Sequence, residues 1–213
     1  MATTLSLLKP ASTKQNNLLI KKTLKFKARI FLILIPAAFF IFSTYFLLRF
    51  YFADLDFTKG LSSFDAGAHS QAQQHFRKAK DFSPLPQSMF LGYAAYNLAI
   101  LSQVDESLIG EAVSLAEKAD SLAKFNMTTQ RLVTNTYLEL SSYNLEFLDK
   151  TKKQAVNLVK LAPTDAETHY QAAQILKIAG EDEKAFEFIK RAIELKPDYY
   201  AALDSLDEWQ KED

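Results

Sequence analysis

Apolar positions fall into two regimes along the chain. From Ile30 to Leu48 the residues are uncharged without interruption, 19 positions bracketed by Arg29 and Arg49. At about 1.5 Å per residue such a helix spans roughly 28 Å, close to the hydrocarbon thickness of a bilayer. Pro36 lies inside the run, which membrane helices tolerate. Tyr45 and Tyr51 lie near its distal end, where amphipathic rings favour the interface. Farther on, the pattern becomes that of short helices. Residues 87–102 (QSMFLGYAAYNLAILS) and 111–124 (EAVSLAEKADSLAK) read as one helix pair. Residues 130–143 (QRLVTNTYLELSSY) and 152–163 (KKQAVNLVKLAP) read as another.

A cleavable signal peptide competes with the uncleaved anchor for the first region. Its apolar core would cover about 7–15 residues and end in a small-x-small site. The run here is longer, and Ser43–Leu55 (STYFLLRFYFADL) offers no such site. The anchor is therefore the preferred reading. No proline follows the run before the first repeat, and its only glycine there is Gly60, so the anchor helix is expected to run nearly unbroken into the repeats.

The second region repeats itself. Pro163 and Pro197 are 34 residues apart and close the similar phrases NLVKLAP and RAIELKP. In the unit beginning at Ala166, small residues fall at Ala173, Ala185 and Ala192, a turn glycine at Gly180, and large residues at Leu176 and Ile189. Laid on residues 53–86, the same register puts Gly60, Gly67, Ala72, Phe76, Ala79 and Pro84 in the small, turn, small, aromatic, small and proline slots. These two units resemble the tetratricopeptide repeat. Between them the match degrades. Ala112, Ala116 and Ala119 recover the second-helix spacing, but about six extra residues separate the helices and the first helix registers on either Gly92 or Ala94. The next unit, with Val133, Thr134 and Tyr137 in first-helix slots, is about five residues too long.

The resemblance implies an all-α solenoid of about four helical hairpins, each burying its apolar face against the next. Residues 200–213 would form the polar capping helix, with Tyr200, Leu203 and Leu206 inward and Trp209 packing at the edge. The expected organisation is a basic cytoplasmic tail (1–29), a transmembrane anchor (30–50) and the hairpin domain (51–213).

Composition and charge sharpen this picture. Gly (5) and Pro (6) are scarce and cysteine is absent, which removes disulfides and thiolate metal sites. The net charge of zero hides an asymmetry: residues 1–29 carry seven Lys/Arg and no acid, whereas 54–213 hold 17 basic and 25 acidic residues. The basic tail should stay in the cytoplasm and the acidic domain should cross, with the bacterial inner membrane the preferred setting. An organelle transit peptide is a weaker alternative for 1–29, which contain a single Arg. Nothing in the acidic domain reads as a nucleic-acid surface.

Catalytic motifs are missing: no GxSxG, GxGxxG, phosphate loop, HExxH or calcium loop occurs. His69 and His75 are six apart and do not share a helix face, and His169 takes a core slot; structural roles are expected for all three. Glu181-Asp182-Glu183 falls at a helix start, where acids favour the dipole. Asn126-Met127-Thr128 is a glycosylation sequon by pattern alone. No catalytic residue, cofactor, metal or small-molecule substrate is expected.

In the tetratricopeptide family the first helices line a concave groove that holds partner segments. Carried over by position, the fourth unit presents Tyr170, Gln174, Lys177 and Ile178, and the third presents Arg131, Asn135 and Leu138. The second presents Leu91 and Ala95, and the first Phe57, Leu61 and Phe64. Tyr170 and Lys177, seven residues apart, are expected to share one face pointing off the hairpin core. The family's chaperone-binding subgroup uses Lys and Asn where Tyr170 and Gln174 stand, so that specificity is not implied. The expected function is a membrane-anchored scaffold or assembly factor that binds protein within a membrane complex. A periplasmic chaperone-like factor with many clients is the alternative.

Overall fold

The computed structural model describes residues 11–212, with side chains from 33 to 211. Lys9 and the side chains of the other basic-tail residues, Lys14 to Arg29, lie outside what it describes. Among the described residues the order is α1 (Ala11–Asp65), α2 (His69–Phe82), α3 (Ser88–Leu101), a 3-10 turn (Glu106–Leu108) and α4 (Ile109–Leu122). Then come α5 (Met127–Leu140), α6 (Leu145–Leu161), α7 (Ala166–Ile178), α8 (Asp182–Leu195) and α9 (Tyr200–Glu212). The expected all-α array of four hairpins and a capping helix is what forms.

Two compact units meet in the sequence between Arg49 and Phe50. In the first, the described side chains from Ile33 onward are almost all exposed, Phe39, Phe40 and Ile41 among them. α1 is the one described helix long and apolar enough to cross a membrane, with a mean hydropathy of 1.9 in its most apolar stretch.

The second unit is built from the residues that the 34-residue period marks. In the first hairpin Ala53, Phe57, Ala72, Phe76 and Ala79 are buried together. In the fourth, Ala173, Leu176, Ala185, Ile189 and Ala192 are. Small side chains bring the paired helices close, and the larger ones fill the space between them. Both hairpins turn through a glycine in the left-handed region, Gly67 and Gly180, each with φ +72°. The N–H after each glycine reaches back five residues, Ala68 to the Ser63 carbonyl (2.8 Å) and Glu181 to the Leu176 carbonyl (2.9 Å). This closes each first helix the same way, satisfying a carbonyl that would otherwise lack a partner.

The irregular middle units absorb their extra residues differently. In the second hairpin they become the 3-10 turn, begun by Asp105, whose carboxylate accepts from the Ser107 N–H at 3.1 Å. In the third they lengthen the second helix: α6 starts at Leu145, seven residues before the sequence-based limit of 152. Asn144 caps it, accepting from the Glu146 N–H at 2.9 Å, and Phe147 in the added turn packs on the core.

The capping helix differs from expectation at its start. Tyr200 is 74 % exposed; Ala202 and Trp209 are the buried positions, with Leu206 packed beside them. The inward aromatic is Tyr199, one residue earlier, which lies before the first turn and packs on the same cluster.

Candidate functional site

The face formed by the first helices of the hairpins is the candidate site. On α7 two of the expected residues turn toward the capping helix. Tyr170 meets the Tyr199 ring edge-on with centroids 5.1 Å apart, and its hydroxyl lies 3.3 Å from the Ser205 hydroxyl. Gln174 donates to the same Ser205 oxygen at 2.9 Å. Lys177 pairs with Asp182 at 3.1 Å and sits 5.8 Å and 5.7 Å from the Phe186 and Trp209 ring centres. Tyr170 and Lys177 therefore do not point off the hairpin core; both tie α7 to its neighbours. Ile178, at 63 % exposure, faces solvent.

On α5, Arg131 reaches the start of α7. Its guanidinium donates to the Asp165 carboxylate at 2.8 Å and to the Thr168 hydroxyl at 3.0 Å, with Glu167 at 3.9 Å. Burial alone would raise the Asp165 carboxyl, but the Thr168 hydroxyl, Arg131 and the N–H groups of Glu167 and Thr168 outweigh it and hold it below its ordinary value. Tyr199 belongs to the same group: burial pushes its phenol up, and Glu167, Tyr170 and Asp165 add to this against Arg131. Asn135 is half-buried, and Leu138 packs on Ala155, Ala172 and Ile175.

On α1 and α3 the expected residues form the seam between hairpins. Phe57 and Leu91 are 3 % and 2 % exposed, and Ala95 is fully buried. Phe57 stacks on Phe90 at 4.3 Å, while Leu61 and Phe64 pack partly buried against the same core. Between the ends of α3 the half-exposed residues are instead Tyr93, Tyr96 and Ile100, a set that sequence reasoning passed over. Their spacing of three and four was a legible signal for one helix face. Phe64 links them, with ring centroids 6.1 Å from Tyr93 and 5.6 Å from Tyr96. Burial, helped by the Glu139 carboxylate on α5, raises the Tyr96 phenol.

The first-helix face thus carries an aromatic end around Phe64, Tyr93 and Tyr96 and a polar stretch around Arg131 and Asn135, with the apolar Ile178 exposed on α7. Such surfaces stack on and hydrogen-bond to peptide segments. The histidines serve the scaffold. His69 lies 3.0 Å from the buried Asn97 side chain, which also donates to Gln73 at 3.0 Å. His75 pairs with Asp56 at 3.1 Å. His169 donates from Nε2 to the Pro163 carbonyl at 3.0 Å, which leaves its buried Nδ1 as the unpartnered acceptor. Among the described residues no group of His, Asp and Glu is arranged to hold a metal ion. Asn126 of the sequon caps α5, accepting from the Thr129 N–H at 3.0 Å.

The family model of the tetratricopeptide repeat matches residues 166–199. No curated protein matches the chain. Among solved structures, YrrB, described as a TPR protein with an unusual peptide-binding site, is 19 % identical over 73 % of this chain and 74 % of its own, with a TM-score of 0.53. A thermophilic TPR protein of Thermus thermophilus is 16 % identical over 68 % and 75 %, with a TM-score of 0.55. MamA of Desulfovibrio magneticus RS-1 is 16 % identical over 69 % and 77 %, also at 0.55. Residues 166–199 therefore carry the tetratricopeptide signature, and the hairpin array around them has the tetratricopeptide-like solenoid fold.

Proposed function

We propose that this chain is a membrane-anchored scaffold or assembly factor that holds a protein partner on the first-helix face of its repeats. The observation that carries the reading is the union, in one chain, of an uncharged run of membrane-spanning length, exposed from Ile33 onward, and a tetratricopeptide-like array. Repeat arrays of this kind offer extended surfaces rather than enclosed reaction chambers, and the work assigned here is binding, not catalysis. The peptide-binding site described for YrrB supports a peptide or helix as the occupant.

The run from Ile30 to Leu48 serves as an uncleaved anchor with the basic tail in the cytoplasm and the repeats outside it. Seven Lys/Arg before the run support that orientation. A bacterial inner membrane complex is the setting that fits the layout of short basic tail, single span and acidic domain.

Mass spectrometry of proteins co-purifying from detergent-solubilised membranes tests the reading. A small, reproducible set of membrane-complex subunits is expected. A broad population of unfolded clients would instead favour a chaperone-like factor, and the absence of any enriched protein would contradict a scaffold. A reporter fused after residue 213 that is active only outside the cytoplasm should give signal; activity of a cytoplasm-only reporter would reverse the orientation.

A further inference from the structure

The exposed apolar side chains of the repeat domain are not scattered. Phe82, Leu85, Met89, Leu122 and Phe125 all lie where second helices end and the next first helices begin, and Phe52 lies inside α1 in the first turn of the repeat domain. At the opposite end of the hairpins the exposed large apolar residues are Val104, Leu145 and Ile178. Phe52 and Phe82 bring their ring centroids within 6.1 Å, so the end of α2 shares the level of the domain's first turn. Leu85, 58 % exposed, follows in the Ser83-Pro84-Leu85-Pro86 loop, and Phe125 projects from the next loop at 87 % exposure.

Cationic recesses accompany these side chains in a domain whose overall charge is negative. A hollow of about 280 Å³ beside Leu85 is lined by Lys80 and Lys118. A second, of about 570 Å³ beneath Phe125, is lined by Lys124, Lys153 and Lys160. Its acid, Asp120, is engaged by the Gln130 amide at 2.8 Å.

We propose that this end of the array rests on the anionic headgroup surface of the bilayer that the apolar run crosses. The inference deepens the anchor reading and rests on it. Leu48 ends the uncharged run and Phe52 is four residues on, a reach of at most ~14 Å in any conformation. A headgroup layer is roughly 5–7 Å deep on each side, so Phe52 lies in it or close beyond it. Aromatic and aliphatic side chains flanked by lysines are what such an interface binds, through apolar insertion and attraction to anionic lipid. A patch of this composition facing water would be an aggregation liability; against lipid it is a second contact that fixes how the repeats are presented.

The absence of cysteine allows the test in the full-length chain. I41C, L85C and V104C, each labelled with a fluorophore, are placed in nanodiscs containing phosphatidylglycerol, and quenching by nitroxide-bearing lipids is measured. The Ile41 site should be quenched by acyl-chain nitroxide. The Leu85 site should be quenched several-fold more by headgroup nitroxide than the Val104 site, and K80E with K118E should reduce that difference. Quenching at Ile41 with Leu85 indistinguishable from Val104 would overturn the surface contact while leaving the anchor intact. No quenching at Ile41 would remove the anchor and the contact with it. Leu85 shielded in cells yet unquenched in nanodiscs would give this face to a protein and overturn the proposal.

Discussion

Gly60 and Phe76 are in such close contact that a Cβ on Gly60 would sit 2.5 Å from the Phe76 ring. Phe76 is fully buried, so its ring has no open space to turn into. Gly60→Ala should therefore destabilise the first hairpin by about 1–3 kcal/mol, the usual cost of overpacking. Gly110, near the start of α4, has nothing within 4 Å of the same added atom. There the change to Ala should stabilise by about 0.4–1 kcal/mol through lost unfolded-state freedom. Urea unfolding of the chain from Phe50 onward, followed by circular dichroism, measures both, and equal signs would contradict the packing described.

A substitution in the fourth hairpin tests the register of the best-matching repeat. Ala185 is fully buried against Leu176 and Ile189. Ala185→Trp should abolish cooperative unfolding or lower stability by about 3 kcal/mol or more, since the helices would be forced apart. A tolerated tryptophan would mean that the two helices do not meet there.

Truncating Tyr170 and Lys177 together should lower the melting temperature measurably. Each side chain bridges α7 to α8 or α9, and an edge-on aromatic pair alone contributes about 0.5–1.5 kcal/mol beyond its buried area. Ile178→Ser, on the exposed end of the same helix, should leave it nearly unchanged. Differential scanning calorimetry separates the two outcomes.

Asp165 makes stability depend on acid. Its folded carboxyl lies below the ordinary 3.8. The unfolded chain thus takes up the proton first as pH falls, and the stabilisation is complete above 3.8 and lost through the lower folded value. Asp165→Asn should lower the unfolding midpoint near neutral pH, and its deficit against the native sequence should shrink as pH drops below 3.8. Partial exposure of this carboxylate keeps the effect small. A deficit that is constant across pH would mean that hydrogen bonds independent of ionisation, not the carboxylate charge paired with Arg131, carry the contribution.

The outer hairpins were legible because their cores consist of the same residue types at a fixed period: Gly60, Ala72, Phe76 and Ala79 answer to Ala173, Ala185, Ile189 and Ala192. The middle hairpins were not, for a physical reason. A helical start depends on its cap, and Asn144 recruited seven residues into α6 that the apolar spacing left outside. The candidate face was harder still. Whether Leu91 or Tyr93 meets solvent is decided by how α3 rotates against α1 and α5, where Gly92 lets Leu132 approach an added Cβ position to 3.1 Å. Likewise Tyr199 and Tyr200 are identical in sequence terms, and only the entry angle of α9 chooses which one packs.

Site-specific photo-crosslinking in cells tests the central claim most directly. A photoreactive phenylalanine is placed at Tyr96, Asn135 or Ile178 on the first helices, and at Glu187 or Lys190 on the exposed side of α8. The account predicts adducts from the first three positions to one and the same membrane-complex protein, with none from the α8 pair. Adducts from α8 alone, or from no position on the repeats, would contradict a partner held on the first-helix face.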